Sequence, residues 1–325
     1  MKRILKSILL ISFLVMIYLP SFCWGFFGHA KINNYACFLL PPEMMILYKP
    51  NINFITEHSA DPDKRRNVVK EEGARHYIDI DRYGKYPYTE VPRKWKDAVA
   101  KFTEDTLIMH GIVPWHIQVM LGRLTVAFKE KNFSKIMKNS AEIAHYIADS
   151  HVPLHTSSNH NGQLTNQKGI HGFWESRVPE LLANKEWDFI IGKAEYIKEP
   201  LQYCWERVLE SAKATDSVLT FEKELTKQFS ADNKYSFELR NGKTIRQYSS
   251  AFTIAFDKKL NGMVERRMRL SIKSVASFWY TAWVNAGQPN LQSLVSQKFS
   301  EADTKEFEEL NAKWSSTDKM IGREE

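Results

Sequence analysis

The sequence predicts an all-α fold, a single multi-helix domain with one small β-hairpin excursion in its C-terminal half. Three observations carry this: apolar residues recur at three- and four-residue spacing along most of the chain, prolines stand where those stripes begin or stop, and one Asn-Gly pair lies inside a strand-like alternation over residues 237–248. Of 325 residues, 43% are hydrophobic and 26% charged, with only 14 Gly and 12 Pro, which excludes collagen-like, low-complexity and wholly disordered chains.

The elements follow in chain order. Lys2, Arg3 and Lys6 precede an apolar run from Ile8 to Tyr18, and Pro20 and Ser21 follow it, the layout of a secretory signal. Ser21 and Cys23 are small residues at the −3 and −1 positions of a cut before Trp24, whereas a cut one residue earlier would put Phe22 at −1. Residues 1–23 are therefore expected to be removed, giving a secreted or periplasmic protein that starts at Trp24. Phe22 and Pro20 fit a lipidation signal at Cys23 poorly, so no lipid anchor is expected. Beyond residue 23 no run reaches the ~18 apolar residues that a membrane-spanning helix requires.

Residues 29–40 carry Ile32, Tyr35, Ala36, Leu39 and Leu40 at helical spacing until Pro41-Pro42 stop them. Pro114 opens a second helix with the stripe Ile117, Met120, Leu121, Leu124 and Phe128, and a third over residues 133–151 buries Ile136, Ile143, Ala144 and Ile147. Helical patterns continue through 172–183, 200–229 and 262–285, and the hairpin turns at Asn241-Gly242. No repeat and no Pro/Gly/Ser-rich linker divides residues 24–288, which read as one domain; residues 289–325 read as a loosely attached charged tail.

The whole chain carries +7. Loss of three basic residues with the signal leaves +4, and the stretch from Glu301 holds four basic and eight acidic residues, so residues 24–300 carry +8. A mildly basic body suits an anionic substrate or surface, but no Lys/Arg run is long enough to be a nucleic-acid arm, and ordinary solvated charge explains most of it. Cys37 and Cys204 remain in the expected mature chain, and whether they pair is left open.

Chemistry concentrates between residues 145 and 175. His145, His151, His155, His160 and His171 lie within 27 positions, interleaved with Asp149 and Glu175. His145 and Asp149 are four apart on a helix and so project from one face about a turn apart, close enough to share an ion. Pro153 ends that helix and the loop returns His155, while His171 and Glu175 repeat the four-residue spacing. Imidazole with carboxylate suits zinc better than magnesium or calcium. His58, His110, His116 and His160 read more simply as satisfied packing residues.

Five segments in order complete the pattern: Trp24-Gly25-Phe26-Phe27-Gly28-His29; Ala60-Asp61 with Arg75-His76-Tyr77-Ile78-Asp79; His145-Tyr-Ile-Ala-Asp149; Pro153-Leu154-His155; and His171-Gly-Phe-Trp-Glu175. Over roughly residues 24–285 this resembles the zinc-dependent phospholipase C and single-strand-specific nuclease superfamily, whose members are all-helical around a trinuclear zinc cleft. The resemblance implies a phosphodiesterase with three zinc ions. It gives Asp61, His76, His145 and Asp149 to one zinc, and His155, His171 and Glu175 to a second. The third would take His29, the shared carboxylate of Asp149, and the α-amino nitrogen and carbonyl oxygen of Trp24, a chelate that exists only after signal removal. Asp61 and Asp149 are the carboxylates assigned to catalysis, Asp61 as a ligand before a general base.

The substrate is divided in the sequence. Glu175 and the short interval from His155 to His171 resemble the bacterial phospholipase branch, whereas the Trp-Gly-x-x-Gly-His entry and His151 resemble the nuclease branch. Phe27, Pro62 and Gly73 stand where choline-selective phospholipases carry an acid and two aromatics, so choline selectivity is not implied. Tyr77 could stack on a base or line the core. The expected substrate is a phospholipid, approached by peripheral contact with a membrane surface, with single-stranded nucleic acid as the alternative; no obligate protein partner is implied. A third class, a secreted zinc protein without catalysis, would need a closed and typically cysteine-rich site, and Cys37 and Cys204 lie outside the cluster.

Overall fold

The structure, a computed structural model, describes residues 25–66, 68–240 and 242–316. The expected signal and Trp24 lie outside the described residues. Helices dominate, and a two-stranded antiparallel sheet is the one sheet among the described residues. Seven helices position the site: α1 (Gly25–Cys37), α2 (Asp61–Arg65), α3 (Val113–Lys129), α4 (Phe133–Asp149), α5 (Pro200–Thr226), α6 (Met263–Asn285) and α7 (Glu301–Ser315). No described helix is long and apolar enough to cross a membrane.

Helix α4 is the centre of the molecule. Asn132 caps it by accepting from the Lys135 N–H at 3.0 Å. Its first half is amphipathic, but from Ser140 onward nearly every side chain except Glu142 is buried, which places its C-terminal turns inside the protein rather than on its surface. Helices α1, α3 and α6 pack around it. Polar cross-links fix those packings where the backbone is reachable: Asn33 of α1 donates to Ala141 O of α4 at 3.2 Å and to Ile55 O at 3.0 Å, and Trp279 of α6 donates to Ser140 O at 2.9 Å. One cluster of buried apolar side chains runs from Ile32 to Leu294, so packing carries the body a few residues past Gln288. Deleting a large member such as Ile143 should cost about 2–5 kcal/mol.

Proline marks helix starts as the sequence implies. Pro114 lies in the first turn of α3 and Pro200 opens α5, where the missing N–H costs nothing. Pro42 opens the helix Pro42–Tyr48, while α1 ends at Cys37, a turn before the proline pair. The pattern over 172–183 is broken: Ile170–Gly172 is α-helical, Phe173–Arg177 is a π-turn, and Val178–Leu182 resumes the α form. Strands β1 (Tyr235–Arg240) and β2 (Lys243–Tyr248) form the expected hairpin, with Phe237 opposite Arg246 and Leu239 opposite Thr244.

One open question is answered and one expectation is corrected. Cys37 and Cys204 are both free and buried, 37 donating to Asn33 O and 204 accepting from Gln118, and burial pushes the Cys37 thiol up to about 12. The charged tail is not loose. Ser300 and Asp303 form a capping box that starts α7, and α7 packs on α2. Asp303 accepts from Ser134 at 2.8 Å and pairs with Lys138 at 2.9 Å, Phe307 packs on Phe54 and His58, and Trp314 packs on Phe26.

Candidate metal centre

The last turns of α4 carry His145 and Asp149, both fully buried. His145 donates from Nδ1 to Ser59 O at 2.8 Å, which leaves the Nε2 lone pair facing inward. The same device recurs twice: His155 donates from Nδ1 to His76 O at 2.7 Å, and His171 from Nδ1 to His160 O at 3.2 Å. A main-chain carbonyl behind each ring fixes its tautomer and aims Nε2 at a common interior, the usual support of metal-binding histidines.

The inward atoms assemble into three groups whose donor atoms lie within 4.8 Å of one another: His29, His145 and Asp149; Asp63, His76 and His145; and His155, His171 and Glu175. Asp149 extends one oxygen to 3.5 Å from His29 Nε2 and the other to 3.0 Å from His76 Nδ1. His29 stacks on His145 with ring centroids 3.8 Å apart. In the third group Glu175 Oε2 lies 2.9 Å from His171 Nε2 and 3.7 Å from His155 Nε2. The turn carrying His155 is held by α5, where Thr215 donates to Pro153 O and Ser211 to Ser150 O, each at 2.7 Å.

The structure puts Asp63, not Asp61, in this interior. Asp61 opens α2, and its carboxylate is taken by His58 Nδ1 at 2.5 Å and Lys64 Nζ at 2.7 Å. Burial alone would raise the Asp61 carboxyl, but hydrogen bonding and charge from His58 and Lys64 outweigh it and hold it below the usual carboxylate range. Two residues on, at about 100° per residue, the helix has turned the next acid to the opposite side. Asp63 Oδ1 lies 3.4 Å from His145 Nε2 and 3.6 Å from His76 Nδ1, and neither of its oxygens, both buried, accepts a hydrogen bond.

His76 shows a second-layer residue that the sequence reading missed. Its Nδ1 faces the cluster, while its Nε2 lies 3.6 Å from Glu72 Oε1. Burial opposes ionisation of Glu72, yet His76, Arg65 and the Tyr146 hydroxyl hold its carboxyl well below the usual range. Arg75 adds a bond at 2.7 Å. Burial pulls the His76 imidazole down to about 4, so it is neutral and able to donate a lone pair at neutral pH. Glu72 precedes His76 by four residues, the spacing already seen in His145/Asp149 and His171/Glu175, and that signal could have found it.

The donor set fits divalent cations. Three buried carboxylates and five imidazoles converge, and His145 Nε2 lies 3.1 Å from His76 Nδ1, an approach of two nitrogens that needs a proton or cation between them. A buried carboxylate without a hydrogen bond is costly until an ion neutralises it, and Asp63 is such a group. The chain therefore carries buried His/Asp/Glu groups suited to metal.

The other sequence candidates lie elsewhere. His151 is buried between Ile147 O at 2.8 Å and Ser274 Oγ at 3.1 Å, a packing role. Tyr77 packs beneath Gly111, whose φ of +88° and lack of a Cβ permit the approach; its hydroxyl donates to Met109 O at 3.4 Å. Trp24 is outside the described residues, but Gly25, its neighbour in sequence, sits so close to Ser176 that a Cβ there would meet Ser176 Oγ at 2.6 Å. No protein-family profile matches this chain, and no curated protein matches it.

Proposed function

We propose that the protein is a secreted zinc-dependent phosphodiesterase of the phospholipase C type, hydrolysing a phospholipid at its phosphodiester. The observation that carries the reading is the set of three adjoining buried donor groups, which supports several ions in one interior rather than a single structural one. Zinc bound there would supply a water whose pKa falls to about 7 and Lewis acidity toward phosphoryl oxygens. The chain's own residues orient and neutralise. Ser59, His76 and His160 carbonyls hold three imidazoles in the donor tautomer. Asp63, Asp149 and Glu175 supply the negative charge, and the Glu72 carboxylate 3.6 Å from His76 Nε2 favours a proton on that nitrogen and the lone pair on Nδ1. No serine or cysteine nucleophile is needed, and neither of the two free, buried cysteines belongs to a donor group.

Three zinc ions, with the Trp24 amine and carbonyl completing the His29 and Asp149 group, are part of this proposal. The test is a side-by-side assay of metal-loaded protein on mixed phospholipids, single-stranded DNA and RNA, with zinc content measured on the same sample. Release of phosphorylated head groups, abolished by a chelator and restored by zinc, is the expected result. Hydrolysis of the nucleic acids alone would move the assignment to the nuclease branch, and bound zinc with no hydrolysis would make it a non-catalytic metal protein.

A further inference from the structure

The hairpin has two unlike faces. Inward, Glu238 receives Arg177 in a two-point contact, Nη2 at 2.6 Å and Nη1 at 3.2 Å, and Arg177 Nε also donates to Tyr248 O at 3.1 Å. At the base of the hairpin Phe173 stacks on Tyr248, the register partner of Tyr235, with centroids 3.8 Å apart. Phe173 and Arg177 are two residues before and two residues after Glu175, so the hairpin is bolted to the segment that presents a metal donor. Toward the turn the opposite face is open: Phe237 and Leu239, neighbours on that face, are each 74% exposed. Beside them Arg246 is exposed, with its guanidinium 3.6 Å above the Tyr235 ring. The only acid in residues 235–248 is Glu238, and it is turned inward and paired.

We propose that this outer face docks the protein on an anionic lipid bilayer. The inference rests on the lipid reading of the site and extends it. Two adjacent apolar side chains beside a cation, with no exposed acid, match the chemistry of an anionic membrane interface, where apolar groups enter the acyl boundary and the guanidinium stays at the headgroups. Charge complementarity favours this occupant over a protein groove, since residues 24–325 carry +4 and residues 235–248 hold three basic residues against one paired acid. Because the hairpin is held by Phe173 and Arg177, docking would bring a bilayer to the same segment that holds Glu175.

The experiment uses the full chain and vesicles of phosphatidylcholine with phosphatidylglycerol, read by cosedimentation. Phe237→Ser combined with Leu239→Ser should weaken binding at least tenfold, while Ile190→Ser, at a residue 85% exposed elsewhere, should leave it unchanged. In a second arm the emission of a Phe237→Trp variant should shift to the blue on adding vesicles and be quenched by brominated lipid. Hydrolysis of a soluble phosphodiester is measured separately and should be the same in all variants. Binding without any hydrolysis would leave the docking face standing and remove the catalytic reading; hydrolysis with vesicle binding indifferent to the double variant would overturn the docking face alone. A Phe237→Trp signal that responds to single-stranded oligonucleotide and not to vesicles would also overturn it.

Discussion

His155 donates from its ring to His76 O at 2.7 Å, across 79 residues of sequence, and two residues past His76 the Ile78 N–H donates back to His155 O at 2.9 Å. A donor of the third metal group thus fixes the backbone that presents a donor of the second. Disturbing either residue should be felt at both groups, which frames the predictions that follow.

Asp63→Asn should remove metal from its group and abolish the proposed phosphodiesterase activity, yet make the metal-free protein more stable, because it removes a buried charge that has no hydrogen bond. Asp61→Asn should retain metal and lose only about 1–2 kcal/mol through its bonds to His58 and Lys64. Metal analysis and urea unfolding of the two chelated variants decide the matter. Loss of metal in Asp61→Asn alone would return the ligand role to that residue.

Glu72→Gln should weaken metal affinity about 10- to 100-fold, as loss of a partner behind a liganding histidine does. Competition with a chromogenic chelator measures it. The Tyr146→Phe variant should give a smaller loss, since Arg65 and Arg75 still hold Glu72.

Acid should unfold the protein partly through His151. Burial holds its imidazole at about 3, below its usual 6.5, so the unfolded chain binds the extra proton between those values. A lowered folded-state value means this contribution is complete above pH ~6.5 and is lost as pH falls toward 3, at up to about 1.4 kcal/mol per pH unit. The urea midpoint should therefore fall between pH 7 and pH 5, and His151→Gln should flatten that slope. An unchanged slope would assign the acid sensitivity to other groups.

Phe307→Ala should release α7 from the body. A 15-residue helix is marginal in isolation, so amide exchange across residues 301–315 should accelerate to near that of a free peptide while α4 stays protected. Lys138→Ala should act in the same direction but weakly, because its partners Asp303 and Glu306 are ion pairs near the surface.

The fold was legible where one physical signal dominated. Long helices such as α3 and α4 announce themselves by apolar spacing and by the proline or cap at their starts, and the hairpin by Asn241-Gly242. Short helices between residues 42 and 110 were not legible, because one or two turns hold too few apolar positions to show a period. Helix α7 was hidden by its charge: the residues that make it look solvated, Asp303 and Glu306, are the ones that bind Lys138. Within the site, spacing found His145, Asp149, His171 and Glu175, but it could not separate Asp61 from Asp63. That choice depends on which acid the local cations capture, and His58 and Lys64 both reach Asp61 from three residues away.

One shared ring sets the order in which the site can fill. His145 Nε2 belongs to two donor groups, yet an imidazole nitrogen carries a single lone pair and serves one ion at a time. The first ion to arrive takes it, and the neighbouring group is then left with His29 and Asp149, or with Asp63 and His76. Two donors make a weak seat for zinc, so the neighbour must recruit oxygen or nitrogen from elsewhere before it closes. A zinc titration should consequently show unequal steps, a tight early phase and a weaker late one, rather than identical vacancies filling in parallel.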